Sequence, residues 1–196
     1  LFELANNHLW RTRFGYRSWS LEFVPKYMNL EMNSEGLSEW GWIDFGFQTY
    51  YALLNCSFRI WPSAGTASGV HPVPLGFGRV YVYLPGGFDY KQWMGGLANG
   101  RSFVTTGPML FVKINGQDPG STLTQQHESK NVYKINGSVF SSHPLDRIEV
   151  VVNGRIRQRL TPSNNLTPQG SYENLINASI NLEGSGWIVV RCFENQ

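Results

Sequence analysis

Hydrophobic positions follow two regimes along the chain. Up to about residue 106, helix-like spacing alternates with short β-like runs, and beyond it only short β runs occur. Leu1–Ala5 reads as a short buried strand ending in the polar turn Asn6-Asn7-His8. Residues 10–42 keep neither period and are rich in Trp, Tyr, Phe, Asn, Ser and Glu. So long an aperiodic stretch is expected to be a functional loop or lid, anchored by burial of Trp10, Trp19, Trp40 and Trp42. The alternative is a sugar-stacking surface made by the same rings.

Phe47, Tyr50, Tyr51, Leu53 and Leu54 give the apolar face of a helix that Asp44 is expected to cap and that runs to about Asn55. Ile60–Ala64 reads as a strand. In Arg79–Leu84, Val80 and Val82 fall on one face and Tyr81 and Tyr83 on the other. A second helix is expected from Asp89, its cap, to about Asn99, with Trp93 and Leu97 as its stripe and Gly100 closing it. Gly95 and Gly96 inside it each cost about 1 kcal/mol relative to alanine, which reads as close packing against a neighbour or, alternatively, simply a poor helix.

From Ser102 onward the expected strands are Ser102–Thr105, Met109–Ile114, Val132–Phe140, Arg147–Val152, Arg155–Leu160, Ala178–Leu182 and Trp187–Phe193. Turn-forming pairs separate them, with no helical pattern between, which argues for an antiparallel sandwich. The tetrapeptide Lys-Ile-Asn-Gly occurs at Lys113–Gly116 and Lys134–Gly137 in different surroundings, and reads as reused turn chemistry. At Asn153-Gly154, a three-residue loop is expected to set Val150 opposite Ile156, leaving Arg155, Arg157 and Arg159 on the solvated face.

Composition narrows the class. In 196 residues, hydrophobic side chains at 41% are enough for a real core, and 14% aromatics with 15% charged residues argue against disorder. A net charge of +2 without a basic run points away from nucleic acid. No apolar run approaches the roughly 20 residues of a membrane-spanning helix, so no membrane partner is expected. Cys56 and Cys192 fit no Cys-x-x-Cys pattern and read as buried thiols. Sequons begin at Asn55, Asn136, Asn165 and Asn177 and leave the compartment undecided, an extracytoplasmic one included.

The densest chemistry lies in Arg59–Pro85, where four glycines and several prolines make a loop that is rigid in places and permissive in others. His8 and His71 each sit beside an expected strand end. A candidate small-molecule or carbohydrate pocket therefore comprises Asn7, His8, Thr66, Ser68 and His71. The bland alternative is that these polar groups satisfy the local backbone. Ser63, Ser68 and His71 are close in sequence but lack a Gly-x-Ser-x-Gly elbow, so no catalytic residue is assigned.

LFELANN, a helix carrying YYALLNCSFRI, then PSAGTASG resemble the C-terminal part of a PHP (polymerase and histidinol phosphatase) domain. PVPLGFGRVYVYL, GLANGRSFVTTGPML and PLDRIEVVVNG are similar to the carbaryl-hydrolase-type branch of metallohydrolases and its trailing β module. The resemblance covers most of the chain. It implies a distorted βα barrel hydrolysing phosphate or carbamate esters at clustered divalent metals. The chain departs from it at the metal loop, where Ala67 stands at the family's Asp position and Gly69 at its His position. The early His-x-His motif has no counterpart here.

The expected fold is α+β, with a partial PHP-like barrel over 1–106, including the aromatic loop 10–42, and an immunoglobulin-like β-sandwich over 107–196. The expected function is a fragment of a PHP-like metal-dependent hydrolase with a degenerate metal site. No cofactor is expected in this chain, and a divalent metal in the parent. The alternative is a non-catalytic carbohydrate- or protein-binding module of a larger extracytoplasmic protein. A start inside an apolar run reads as a processed or excised chain, so the rest of the barrel is an expected partner, as is a second copy paired through the edge strands Leu1–Ala5 or Trp187–Phe193.

Overall fold

The computed structural model describes residues 1–6, 9, 24–34, 36–67, 69, 72–124 and 131–195. In chain order the elements are β1 (Phe2–Ala5), β2 (Met32–Asn33), β3 (Gly36–Leu37), α1 (Glu39–Asn55), β4 (Pro62–Ala64), β5 (Arg79–Val82), α2 (Tyr90–Ala98) and β6 (Ser102–Thr105). Then follow β7 (Met109–Ile114), β8 (Val132–Ser141), β9 (Leu145–Val152), β10 (Arg155–Leu160), β11 (Asn165–Leu166), β12 (Tyr172–Asn181) and β13 (Ile188–Glu194). The architecture is mixed α+β, mostly antiparallel, and the described strands close no barrel.

Strands β1 and β4 pair in parallel, Phe2 opposite Pro62, and α1 lies between them in sequence. This is a βαβ crossover, the connection that parallel strands require. The helix begins earlier than its apolar face indicates. Ser38, not Asp44, is the cap, its Oγ accepting from the Gly41 N–H at 3.0 Å. Gly41 obscures that start in the sequence, and the structure shows why glycine is there: a Cβ would meet the Glu31 carbonyl at 2.0 Å. Asp44 is mid-helix and accepts from the Gln48 amide.

The second helix matches its expectation more closely. Asp89 caps α2, accepting from Gln92 N–H, and Gly100 closes it at φ 71°. Gly96 lets the helix approach β5, since a Cβ there would stand 2.4 Å from Val82 Cγ1. Trp61 ties the end of α2 to the β4 side, its indole N–H donating to the Ala98 carbonyl.

Two sheets form the second half, β10–β9–β13 and β11–β12–β8–β7. They share a core in which Ile148, Val150 and Val152 of β9 meet Tyr133, Ile135 and Val139 of β8 and Ile176, Ala178 and Ile180 of β12. Burying each large aliphatic chain contributes about 1.5–3 kcal/mol. Strand β12 is longer than Ala178–Leu182, pairing with β8 from Tyr172 to Asn181. Its first four residues, YENL, place the adjacent polar pair Glu173-Asn174 between Tyr172 and Leu175, so no alternation signals a strand there.

The hairpin at Asn153-Gly154 differs from its expected register. Both turn residues have positive φ, 49° and 82°, so the loop is a two-residue turn of the type that suits strand twist. A bulge between Ile156 and Gln158 then resets the pairing: Ile156 lies opposite Val151, Gln158 opposite Val150 and Arg159 opposite Glu149. The bulge reconciles a tight turn with burial of Leu160 on the sandwich side. Among the described residues β1 pairs only with β4 and β13 only with β9, so both lie at sheet edges.

Candidate functional site

Of the five pocket residues expected from the sequence, Asn7, His8, Ser68 and His71 lie outside the described residues. Thr66 is placed, and its hydroxyl serves the backbone: it accepts from Gly78 N–H at 2.9 Å and donates to Gly78 C=O. The segments after β1 and β4 are neighbours, because Gly65 N–H donates to the Ala5 carbonyl. Gly78 fits against this junction only without a side chain, a Cβ standing 2.4 Å from the Gly65 carbonyl oxygen. The C-terminal edge of the parallel pair is thus a tightly locked turn. Ala67 and Gly69 offer no side-chain donor there, so they do not fit the metal loop that the resemblance implies. Among the described residues no group of three His, Cys, Asp or Glu is arranged to hold a metal.

A second location was not foreseen. Strand β9 is buried on both faces. Ile148, Val150 and Val152 enter the sandwich core, while Arg147, Glu149 and Val151 face α1. On β13 the same division sends Val190 and Cys192 inward and Arg191 and Phe193 toward the helix. Trp40, Asp44, Phe47 and Tyr51, spaced along one side of α1, form the opposite wall of a cleft of about 670 Å³.

Glu149 lies at its centre, 1% exposed, and accepts three charge-assisted hydrogen bonds. Arg191 Nε donates to Oε2 at 2.7 Å, and Arg159 Nε and Arg147 Nε to Oε1 at 3.1 and 3.3 Å. The guanidinium of Arg191 stacks on Phe47 at 4.9 Å and near Phe193 at 5.3 Å, and that of Arg147 lies 4.1 Å from the Phe193 ring centre. Burial pushes the Glu149 carboxyl upward, but attraction to Arg191, hydrogen bonds from Arg191 and Arg159, and the charge of Arg147 outweigh it and hold the group below its ordinary 4.5. Burial pushes the Tyr51 phenol up, partly offset by Arg191. At neutral pH the site therefore presents an ionised carboxylate whose two oxygens are engaged, and a protonated phenol. That is chemistry for recognising charge, not for moving protons.

The signal for this site was present in Arg147–Val152, RIEVVV. A strand whose two faces are both apolar is buried on both sides, and a glutamate inside it must have partners.

Comparison with protein-family models, with curated proteins and with solved structures finds no match to this chain.

Proposed function

We propose that this chain is part of a PHP-like hydrolase acting on phosphate or carbamate esters, in which its described residues supply scaffold and not metal ligands. The observation that supports this reading is the β1–α1–β4 crossover, whose strand ends meet at Gly65-Thr66, the segment that resembles the family's metal loop. Barrel enzymes assemble their sites at such C-terminal strand ends. With Ala67 and Gly69 in that loop, metal chemistry would have to be supplied by groups outside the described residues.

A second reading, a non-catalytic module that recognises a small molecule or a carbohydrate, is favoured by the cleft around Glu149. It is an open cleft, aromatic-walled and rich in fixed donors, as ligand sites often are. Two measurements separate the readings. The gene's full polypeptide is assayed with 4-nitrophenyl phosphate and 1-naphthyl methylcarbamate, with manganese or zinc and with chelator. Chelator-sensitive turnover supports the hydrolase, and its absence in every metal favours the binding module. The 196-residue chain is analysed for metal after dialysis and is expected to hold none in stoichiometric amount. About one equivalent of zinc, manganese or iron would sink the scaffold reading.

A further inference from the structure

The three guanidiniums around Glu149 share one feature: each reaches the carboxylate through Nε alone. Their terminal amino nitrogens are left for other partners. Arg147 uses one on Asp146, and Arg191 turns one toward the Tyr51 hydroxyl at 3.4 Å and Asp44 at 4.0 Å. Arg159 makes no bond through its terminal nitrogens among the described residues, although Glu149 fixes its Nε. Arg155, two positions after the turn asparagine, makes no ion pair among the described residues.

Charge follows the same division. Arg147 and Arg191 each have a second carboxylate, whereas Arg159 has a share of one oxygen and Arg155 has nothing. The arginines without a second carboxylate among the described residues therefore lie on the β10 side of the cleft, whose lining carries four arginines against Glu31, Asp44 and Glu149. The bulge after Ile156 contributes, because it brings Ile156 and Arg159 both to the cleft lining, where strict alternation would put them on opposite faces. Within the sheet Glu149 is held by the Nε donors, and among the described residues the link to α1 is made by a terminal nitrogen of Arg191 alone, so neither task uses the terminal nitrogens of Arg159. Neither needs a guanidinium fork held at its base and open at its tip.

We propose that this cleft binds a small molecule bearing a carboxylate or phosphate group. Arg159 and Arg155 take the anion, and the apolar body of the ligand lies along Trp40, Ile43 and Phe47. A fork oriented by Glu149 loses little freedom on binding and offers paired donors to two anion oxygens. The cleft volume of about 670 Å³ is that of a small-molecule site. Because the cationic groups are confined to one recess and the whole chain carries +2, an extended polyanion such as nucleic acid does not fit.

Calorimetric titration with phenyl phosphate, benzoate and inorganic phosphate tests this directly. Phenyl phosphate is expected to bind saturably and more tightly than inorganic phosphate, and benzoate shows whether carboxylate serves as well. Arg159→Ala and Arg155→Ala are each expected to weaken binding by about tenfold, the loss of a charge-assisted contact. Arg159→Lys, which keeps the charge without the fork, should fall between. Arg157→Ala, exposed on the same strand, should leave affinity unchanged. Arg155→Ala removes no side-chain hydrogen bond among the described residues, so it remains informative if Arg159→Ala unfolds. Saturable binding by none of the three probes would overturn the proposal, as would equal losses from Arg157→Ala and Arg155→Ala. Phenyl phosphate no tighter than inorganic phosphate would overturn the assignment of the apolar wall. Ester turnover is a separate readout, so failure here and failure of the hydrolase reading are distinguishable.

Discussion

Removing the carboxylate of Glu149 tests whether the arginine cluster is a stabilising element. The side chain is 1% exposed and accepts three hydrogen bonds from cations. Deleting one member of a buried charge network costs about 3–5 kcal/mol, because the remaining charges are left without a partner. The partners here differ in access to water. Arg191 is 14% exposed and cannot rehydrate fully, whereas Arg147 at 31% and Arg159 at 67% can. The lower figure, about 3 kcal/mol, is therefore expected for Glu149→Ala. In a chain of this size it corresponds to a melting-temperature loss of about 6–12 °C, read by circular dichroism at neutral pH. Glu149→Gln keeps an acceptor oxygen and loses the charge, so its loss should be smaller.

The pH dependence has a definite sign. Glu149 titrates below 4.5 in the folded chain, so unfolding takes up protons in the acid range. Its contribution is fully present above 4.5 and is lost as pH falls through the depressed folded-state value. The stability gap between the wild-type chain and Glu149→Gln should thus be constant above pH 4.5 and close below it. A melting temperature for Glu149→Ala within about 2 °C of wild type, against the 6–12 °C expected, would refute the reasoning. So would a gap that widens on acidification.

Two further outcomes follow from local geometry. Gly78→Ala should destabilise more than Gly69→Ala, because its Cβ would meet the Gly65 carbonyl at 2.4 Å while Gly69, at φ 94°, carries only left-handed strain of about 1–2 kcal/mol; equal melting temperatures would contradict this. With a thiol reagent at pH 8, exposed Cys56 should react at once and half-buried Cys192, pushed up to about 12 by burial and by Glu194, much more slowly until the chain is denatured; release of both thiols in one phase would contradict this.

Strand positions were legible wherever apolar residues alternate or cluster, as in Met109–Ile114 and the valines of β9. They were illegible where pairing is set from a distance. The repeated Lys-Ile-Asn-Gly is the clearest case. At Asn115-Gly116 both residues have positive φ and end β7, but Asn136-Gly137 lies in the middle of β8. There Gly137 is required because a Cβ would stand 2.0 Å from the Phe111 carbonyl. The same four residues make a turn or a strand interior depending on which strand lies alongside. Cys56, read as buried, is exposed because it follows the end of α1. The arginine site was hidden for a related reason: Arg147, Glu149, Arg159 and Arg191 come from three strands, and only their pairing brings them together.

The pairing also explains why a glutamate is found in the most buried strand of the chain. Strand β9 is central in its sheet and has the sandwich on one side and α1 on the other, so every residue from Ile148 to Val152 is buried. An all-apolar β9 would pack, but it would not fix how the helix sits on the sheet, since flat apolar surfaces tolerate sliding. Glu149 bonds to Arg159 of β10 on one side and Arg191 of β13 on the other, and Arg191 reaches Asp44 and Tyr51 of α1. Bonds to charged groups are short and directional, so this chain of contacts selects one placement of α1 and holds the cleft at one width. Because α1 is also the crossover between β1 and β4, the same contacts set where the Gly65-Thr66 turn lies relative to the sandwich. The cost of burying a charge is in this way tied to the relative position of the two places where the chain presents polar chemistry.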